Sequence, residues 1–310
     1  MRAPTVGTNE IASWCAQWLR ARPVRVLWRT GHLSEVLAVE LEDGRQVVLK
    51  VRLGSARLAA CIQVQRRLWH AGFPCPEPLA GPSPLAADGR VGTAEALVVG
   101  GGRLALGPDS PHLFAEALER LVRSAAPYAE APSLSPSPPW FGGGELRARL
   151  WPQPPDRPFD LNSQAGPPWL DETAQRARAR LGRSTLPLVV GHADWESQDI
   201  RWKEDRLHVV HDWDSVVAGP EAVIAGAGAA AFPAEERPTA ASIEDTTSFL
   251  AAYEVARGRP WSAKEREIAW AAGLWLMAYN AKIETIDDGP SPVRDRLVEE
   301  AEERLRFAGA

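Results

Sequence analysis

Cysteine is scarce in this 310-residue chain: only Cys15, Cys61 and Cys75 occur, an odd number with no Cys-x-x-Cys pair. That argues against a disulfide framework or a zinc finger and suits a reducing compartment. Long apolar runs are missing as well. No stretch approaches membrane-spanning length, and the opening MRAPTVGTNEIASWC lacks the apolar core of a signal peptide, so a cytoplasmic protein with no membrane partner is expected. Basic clusters are also absent. The formal net charge is -5 and the arginines are spread along the chain, which leaves no electrostatic footprint for nucleic acid. No internal repeat occurs, and no pattern specifies an oligomeric state. What remains is a globular composition, 45% hydrophobic, long enough for one large or two modest domains.

Thr8 to Arg20 carries Ile11, Trp14, Cys15, Trp18 and Leu19 at helical spacing. Strand patterns follow in VRVLWRT (24–30) and then in EVLAVELE and RQVVLKVR, which flank Asp43-Gly44 and predict a hairpin closed by a type I′ turn. Alternation along the last of these places Val47, Leu49 and Val51 on one face and Val48, Lys50 and Arg52 on the other. Lys50 is thus mid-strand among apolar neighbours, a costly position unless its ammonium meets an anion. Ser55 to Gly72 reads as a helix, Glu95 to Val99 as a strand that runs into Gly100-Gly101-Gly102, and Ser110-Pro111 as the start of another helix. Ala125 to Trp169 is dense in proline with interspersed Tyr128, Trp140, Phe141, Trp151 and Phe159, an irregular excursion held down by its aromatics. Beyond it the chain is mainly helical, with capping-box spacing at Ser242/Asp245 and Ser262/Glu265.

The chemistry concentrates in PLVVGHADWESQDIRWKEDRLHVVHDWDSVVAGP, the run that ends at Pro220. Two β-branched runs each end in His and Asp residues. Asp194 lies two residues after His192 and five before Asp199, and Asp212 follows the second strand. Phosphoryl transfer needs one carboxylate to orient an attacking hydroxyl and oxygen ligands to hold Mg²⁺ against ATP phosphates. Asp194, Asp199 and Asp212 offer those groups. His192, on the same side of an extended segment as Asp194, reads as a brace for the loop. Asp214 reads as a third metal-side carboxylate or as a solvated or capping group. His208 and His211 point to opposite faces and form no natural metal pair. Trp195 and Trp213 read as packing.

Lys50 on the last hairpin strand, a glycine joint, HADWESQD and a following HDWD together resemble the aminoglycoside phosphotransferase and choline kinase-like family, from about Val24 to the end of the Ser262 helix. The resemblance implies an α+β, two-lobed protein-kinase-like fold. A small antiparallel-sheet N-lobe would span residues 1–102, and a larger, mainly helical C-lobe residues 103–310. It implies a phosphotransferase that moves the γ-phosphoryl group of ATP to a hydroxyl of a small molecule, with Mg²⁺. Asp194 would be the catalytic Asp, Asp212 and Asp199 the metal ligands, and Lys50 the partner of the α and β phosphates. Glu95 to Gly101, with Val98, Val99 and Gly100 at its centre, would be the hinge whose backbone groups bind the adenine, and Gly31 to Ser34 would occupy the loop above the phosphates.

Several positions depart from the family pattern. Asp199 stands where Asn is usual and Ala193 where Gly is usual. After Gly219-Pro220 the only nearby acid is Glu221. The stretch from Val51 to Pro76 contains no acidic residue, and Cys61 falls near the place of the usual lysine partner. Lys50 must then be held by nucleotide, by an acid from elsewhere, or by neither. The alternative is therefore a catalytically weak or inactive kinase-fold protein that binds nucleotide or a partner. A metal-dependent hydrolase using His192, Asp194, His211 and Asp212 also accounts for the clustered residues, but it leaves Lys50 and the glycine joint idle. Among substrates, an aminoglycoside would want acids such as Glu284, Asp287 and Asp288. These read equally as a solvated helix end.

Overall fold

Alternation and capping translate directly into elements in the computed structural model, which describes residues 6–31, 34–126, 132–142, 149–154, 159–182, 184–235, 239–287 and 289–310. The chain divides into two compact units. The first comprises the residues up to Gly100 together with Val209–Asp214; the second comprises Gly101–Pro154, Phe159–His208 and Ser215–Ala310.

The first unit is built on an antiparallel sheet of five strands, β1 (Pro23–Gly31), β2 (Glu35–Leu41), β3 (Gln46–Leu53), β4 (Pro78–Pro84) and β5 (Arg90–Ala96), in the order β1-β2-β3-β5-β4. Helix α1 (Thr8–Trp18) lays Ile11, Trp14 and Cys15 on one face, against Leu37, Val39, Val47, Leu49 and Val51. The alternation of β3 thereby buries its odd-numbered residues in this core and turns Val48, Lys50 and Arg52 to the other face. Helix α2 (Ala56–His70) serves that second face, where Gln65 hydrogen-bonds Glu95 of β5 at 3.1 Å. Burial pushes the Cys15 thiol up to about 11 and the Cys75 thiol to about 12, so both act as inert core groups.

Three local expectations change. The β2–β3 hairpin forms, but its turn is not type I′: Gly44 has φ +83° and Asp43 is not left-handed. Glu42, Asp43 and Gly44 make a three-residue loop closed by Leu41 N–H donating to the Arg45 carbonyl at 2.8 Å, with glycine in the left-handed position. The last strand lies at Arg90–Ala96 instead of Glu95–Val99, and Val99 is exposed. Strand β4, PLAGPSP, has no strand signature at all. It sits at the sheet edge, the one place where a proline-rich strand forfeits no ladder bonds.

The second unit contains α3 (Ser110–Ala125), α4 (Pro168–Leu181), α5 (Glu221–Ala231), α6 (Ile243–Ala256), α7 (Ala263–Glu284) and α8 (Pro292–Ala308). Strands β6 (Leu188–His192) and β9 (Val216–Pro220) pair antiparallel, His192 opposite Val216. Strands β7 (Ile200–Lys203) and β8 (Arg206–Val210) form the hairpin that leads to Asp212. Helix α5, EAVIAGAGAAA, is buried on every side after its first residue, as its composition dictates. Its glycines permit a close crossing with α7: a Cβ on Gly226 would lie 1.9 Å from the Ala269 carbonyl. The proline-rich excursion is anchored by buried Leu134, Phe141, Trp151 and Leu161; Tyr128 lies outside the described residues. Among the described residues, no helix is long and apolar enough to cross a membrane.

Both predicted serine caps are present. Ser242 accepts from the Asp245 N–H at 3.0 Å, and Ser262 forms a full capping box with Glu265. A hydrogen bond from Arg259, opposed by burial and aided by the Ser262 N–H, holds the Glu265 carboxyl down to about 2. A depressed carboxylate contributes stability above its ordinary range and loses it as pH falls from about 4.5 through about 2. Glu265→Gln is expected to cost about 1 kcal/mol at neutral pH. Urea unfolding at pH 7 and pH 3 should show a smaller loss on acidification in the variant than in the parent protein.

Candidate active site

In the first unit, sheet register builds the cation site. Lys50 lies opposite Thr93 and Val48 opposite Glu95 in the β3–β5 ladder, so Lys50 and Glu95 are diagonal neighbours on one face. The Lys50 Nζ is 3.8 Å from Glu95 Oε1 and 3.3 Å from Asp212 Oδ1. Burial opposes the ammonium, but Glu95 and then Asp212 outweigh it and raise the Lys50 pKa, so the lysine is charged. Asp212 has φ +57°, an unfavourable conformation for most side chains that Asp tolerates comparatively well. Its side chain is 35% exposed against 12% for Lys50.

Glu95 is the residue that sequence reasoning missed. The stretch up to Pro76 holds no acid, and the one that meets Lys50 stands two elements further on, near the end of β5. The α2 residue closest in role is Gln65, which binds both Glu95 and the Pro76 carbonyl, at 3.1 and 3.0 Å. Cys61 instead approaches the Asp214 carbonyl at 3.7 Å. Asp214 itself is neither solvated nor a cap: its carboxylate is ion-paired with Arg52, and Arg57 donates to its carbonyl at 2.8 Å. Arg52 also donates to Ser34 at 3.4 Å, tying the end of the β1–β2 loop to β3; His32 and Leu33 lie outside the described residues. Trp213 is packing, edge-on to Phe73 and 2% exposed. At the other end of β5, Gly100 and Gly101 have φ +82° and +71°, successive left-handed residues that only glycine adopts cheaply.

In the second unit, β6 delivers His192 and then Asp194. His192 is 1% exposed, and its Nδ1 accepts the Asp194 N–H at 3.3 Å, so it braces the loop. The loop is pinned throughout. Ala193 N–H donates to Ser215 O (2.9 Å), Ser197 N–H to Phe232 O (3.0 Å), and Gln198 N–H to Ala234 O (3.3 Å). Trp195 is a core residue that donates to Phe114 O at 3.0 Å, and Trp140 donates to Ala193 O at 3.1 Å. The second contact fastens the proline-rich excursion next to Asp194. Ala193 is not left-handed, which explains why it can replace glycine. Asp194 and Asp199 each bring a carboxylate oxygen within 4.8 Å of the other. Two carboxylates so close favour a cation, and Asp194, Asp199 and Asp212 are all-oxygen donors of the type that hard Mg²⁺ selects.

Other acids have structural tasks. Glu221 pairs with Arg257 and accepts from Tyr253 at 3.3 Å, fastening α5 to α6. Glu284 caps α8 by accepting from the Val293 and Arg294 N–H groups at 3.2 and 2.8 Å, which removes it from any acidic substrate cleft. Asp288 lies outside the described residues.

A sequence model described as the phosphotransferase enzyme family matches residues 28–274. No curated protein matches the chain by sequence. Among solved structures, the chain is similar to the amicoumacin kinase hAmiN in complex with AMP-PNP, Ca²⁺ and Ami (13% identity, 92% of this chain and 89% of that chain, TM-score 0.63). It is also similar to the macrolide 2'-phosphotransferase MphH of Brachybacterium faecium (17% identity, 96% and 98%, TM-score 0.57). A third is spectinomycin phosphotransferase APH(9)-Ia in complex with ADP and spectinomycin (10% identity, 99% and 99%, TM-score 0.57). These likenesses share the α+β, kinase-like fold with this chain. With its five-stranded antiparallel sheet, its helical second unit and a match over residues 28–274, the chain belongs to the phosphotransferase enzyme family.

Proposed function

We propose that this protein transfers the γ-phosphoryl group of ATP to a hydroxyl of a small molecule. The observation that carries the reading is the pairing of Lys50 with Asp212 at 3.3 Å across 162 residues of sequence, which would join a phosphate-binding cation to a metal-binding carboxylate within one unit. Asp199 and Asp212 would hold Mg²⁺, which when bound neutralises charge on the phosphates. Lys50 would hold the α and β phosphates. Backbone groups of Val98, Val99 and Gly100 would bind the adenine, and Gly31 and Ser34 would lie over the phosphates. Asp194 would accept a hydrogen bond from the acceptor hydroxyl and aim it at the γ-phosphorus. As the new O–P bond forms, the bond from the γ-phosphorus to the bridging oxygen breaks, ADP leaves with that electron pair, and the hydroxyl proton passes to Asp194. Positioning and charge neutralisation supply the catalysis.

Structural relatives that hold AMP-PNP with Ca²⁺, or ADP, support the nucleotide and the divalent cation. Their acceptors, amicoumacin and spectinomycin, support a hydroxyl-bearing antibiotic or metabolite as the substrate class. Use of ATP agrees with a cytoplasmic site of action. The inactive alternative rests on a lysine without an acid and on Asp199 in place of Asn; Glu95 supplies the first of these, a negative charge beside Lys50.

Thermal unfolding with ATP alone, Mg²⁺ alone and both tests the reading. A ligand at 100 times its Kd adds about 2.7 kcal/mol, so the pair together should raise the midpoint by more than the two separate shifts combined. No response to the pair would sink the proposal. A screen of hydroxyl-bearing antibiotics and metabolites for acceptor-dependent ADP release then identifies the substrate.

A further inference from the structure

The charge that positions a phosphate-binding lysine usually comes from the helix that follows it. Here the stretch from Val51 to Pro76, which includes all of α2, has no acidic residue. Its nearest contribution is the neutral amide of Gln65, which donates to Glu95 Oε2 at 3.1 Å, while Glu95 Oε1 faces the Lys50 ammonium at 3.8 Å. Glu95 is 7% exposed, and a carboxylate so buried is costly unless it meets a cation. Both of its oxygens are committed, one to the amide and one to the ammonium.

We infer that Glu95 is the positioning residue for Lys50, and that the ion pair is built within the sheet, between adjacent strands β3 and β5, with Gln65 of α2 only steadying the carboxylate. The inference rests on the phosphotransferase reading of Lys50 and assigns to that site a residue which its sequence motifs do not contain. It also has a regulatory consequence. A lysine–glutamate pair split between strand and helix breaks when the helix swings out, which is how kinases are switched. A pair on neighbouring strands is held in register by the ladder from Val47↔Ala96 to Leu53↔Arg90, so movement of α2 leaves it intact. Lys50 stays oriented before nucleotide arrives.

The test is steady-state kinetics on the full chain with Mg·ATP and an acceptor found by the ADP-release screen. Glu95→Gln keeps the shape and the Gln65 hydrogen bond but removes the charge. It should raise the KM for ATP at least tenfold and leave the KM for the acceptor unchanged. A purely structural role would lower the active fraction, and with it the apparent kcat, without moving either KM. Glu95→Asp keeps the charge on the same strand position and leaves Gln65 and its bond to the Pro76 carbonyl untouched, which guards against loss of fold, and it should recover most of the lost ATP affinity. Gln65→Leu should change the KM for ATP less than threefold. An active parent protein whose Glu95→Gln variant retains its KM for ATP overturns the inference and leaves the phosphotransferase reading standing. A Glu95→Asp variant no better than Glu95→Gln overturns the electrostatic role. A parent protein that neither binds nucleotide nor releases ADP overturns the reading itself, before any variant is made.

Discussion

Asp194→Asn should lower acceptor-dependent ADP release by about 10²–10⁴-fold, the usual span for loss of a group that manages a proton, while Mg·ATP still stabilises the protein as strongly as in the parent. The substitution is nearly isosteric, and the surrounding loop owes its shape to other groups. Backbone bonds to Ser215, Phe232 and Ala234, the Asp194 N–H bond to His192, and the Trp140 bond to Ala193 all survive the change. What is lost is the carboxylate that would accept the hydroxyl's hydrogen bond. Asn also removes one negative charge beside Asp199, so nucleotide affinity should hold or rise slightly. Rapid-quench turnover measured beside calorimetric binding of Mg·ATP separates the two effects. A variant with full turnover would remove Asp194 from the chemistry.

Asp212→Ala carries the second large effect, through two mechanisms that can be told apart. Its carboxylate is an ion-pair partner of the Lys50 ammonium and, in the proposed site, the main metal ligand. Loss of the anion that orients Lys50 together with a carboxylate metal ligand should lower Mg·ATP affinity by about tenfold or more, where each tenfold is about 1.4 kcal/mol. The backbone at Asp212 is also left-handed, with φ +57°. Alanine there costs roughly 1–2 kcal/mol, whereas asparagine tolerates the conformation. Asp212→Asn should therefore unfold at a higher midpoint than Asp212→Ala, while both lose nucleotide. Undiminished Mg·ATP binding in either variant would refute the metal assignment.

The candidate site was legible wherever the chemistry is local. Asp194 and Asp199 stand five residues apart in one loop, and short-range spacing brought them together. His192 was readable as a brace for the same reason. Asp214 was not, because its partner Arg52 lies on β3, far from it in sequence. Glu284 was equally opaque. It looked like an exposed acid at a helix end, yet the following helix turns back and takes it as a cap. The β5 strand was misplaced by several residues because Leu97, Val98 and Val99 are as apolar as a strand, while the residues that pair with β3 include Gly92 and Thr93.

The sequence by itself determined the faces of β3, the serine caps of α6 and α7, the β2–β3 hairpin, and the order in which Lys50, Asp194, Asp199 and Asp212 appear. Each of these depends on neighbours within one pleat, one turn or one loop, where side-chain period and backbone preference leave little choice. Only the tertiary structure decided which acid meets Lys50. That choice follows from the register of β3 against β5, two strands separated in sequence by α2 and β4, and a register shift of one residue would have turned Glu95 to the opposite face of the sheet.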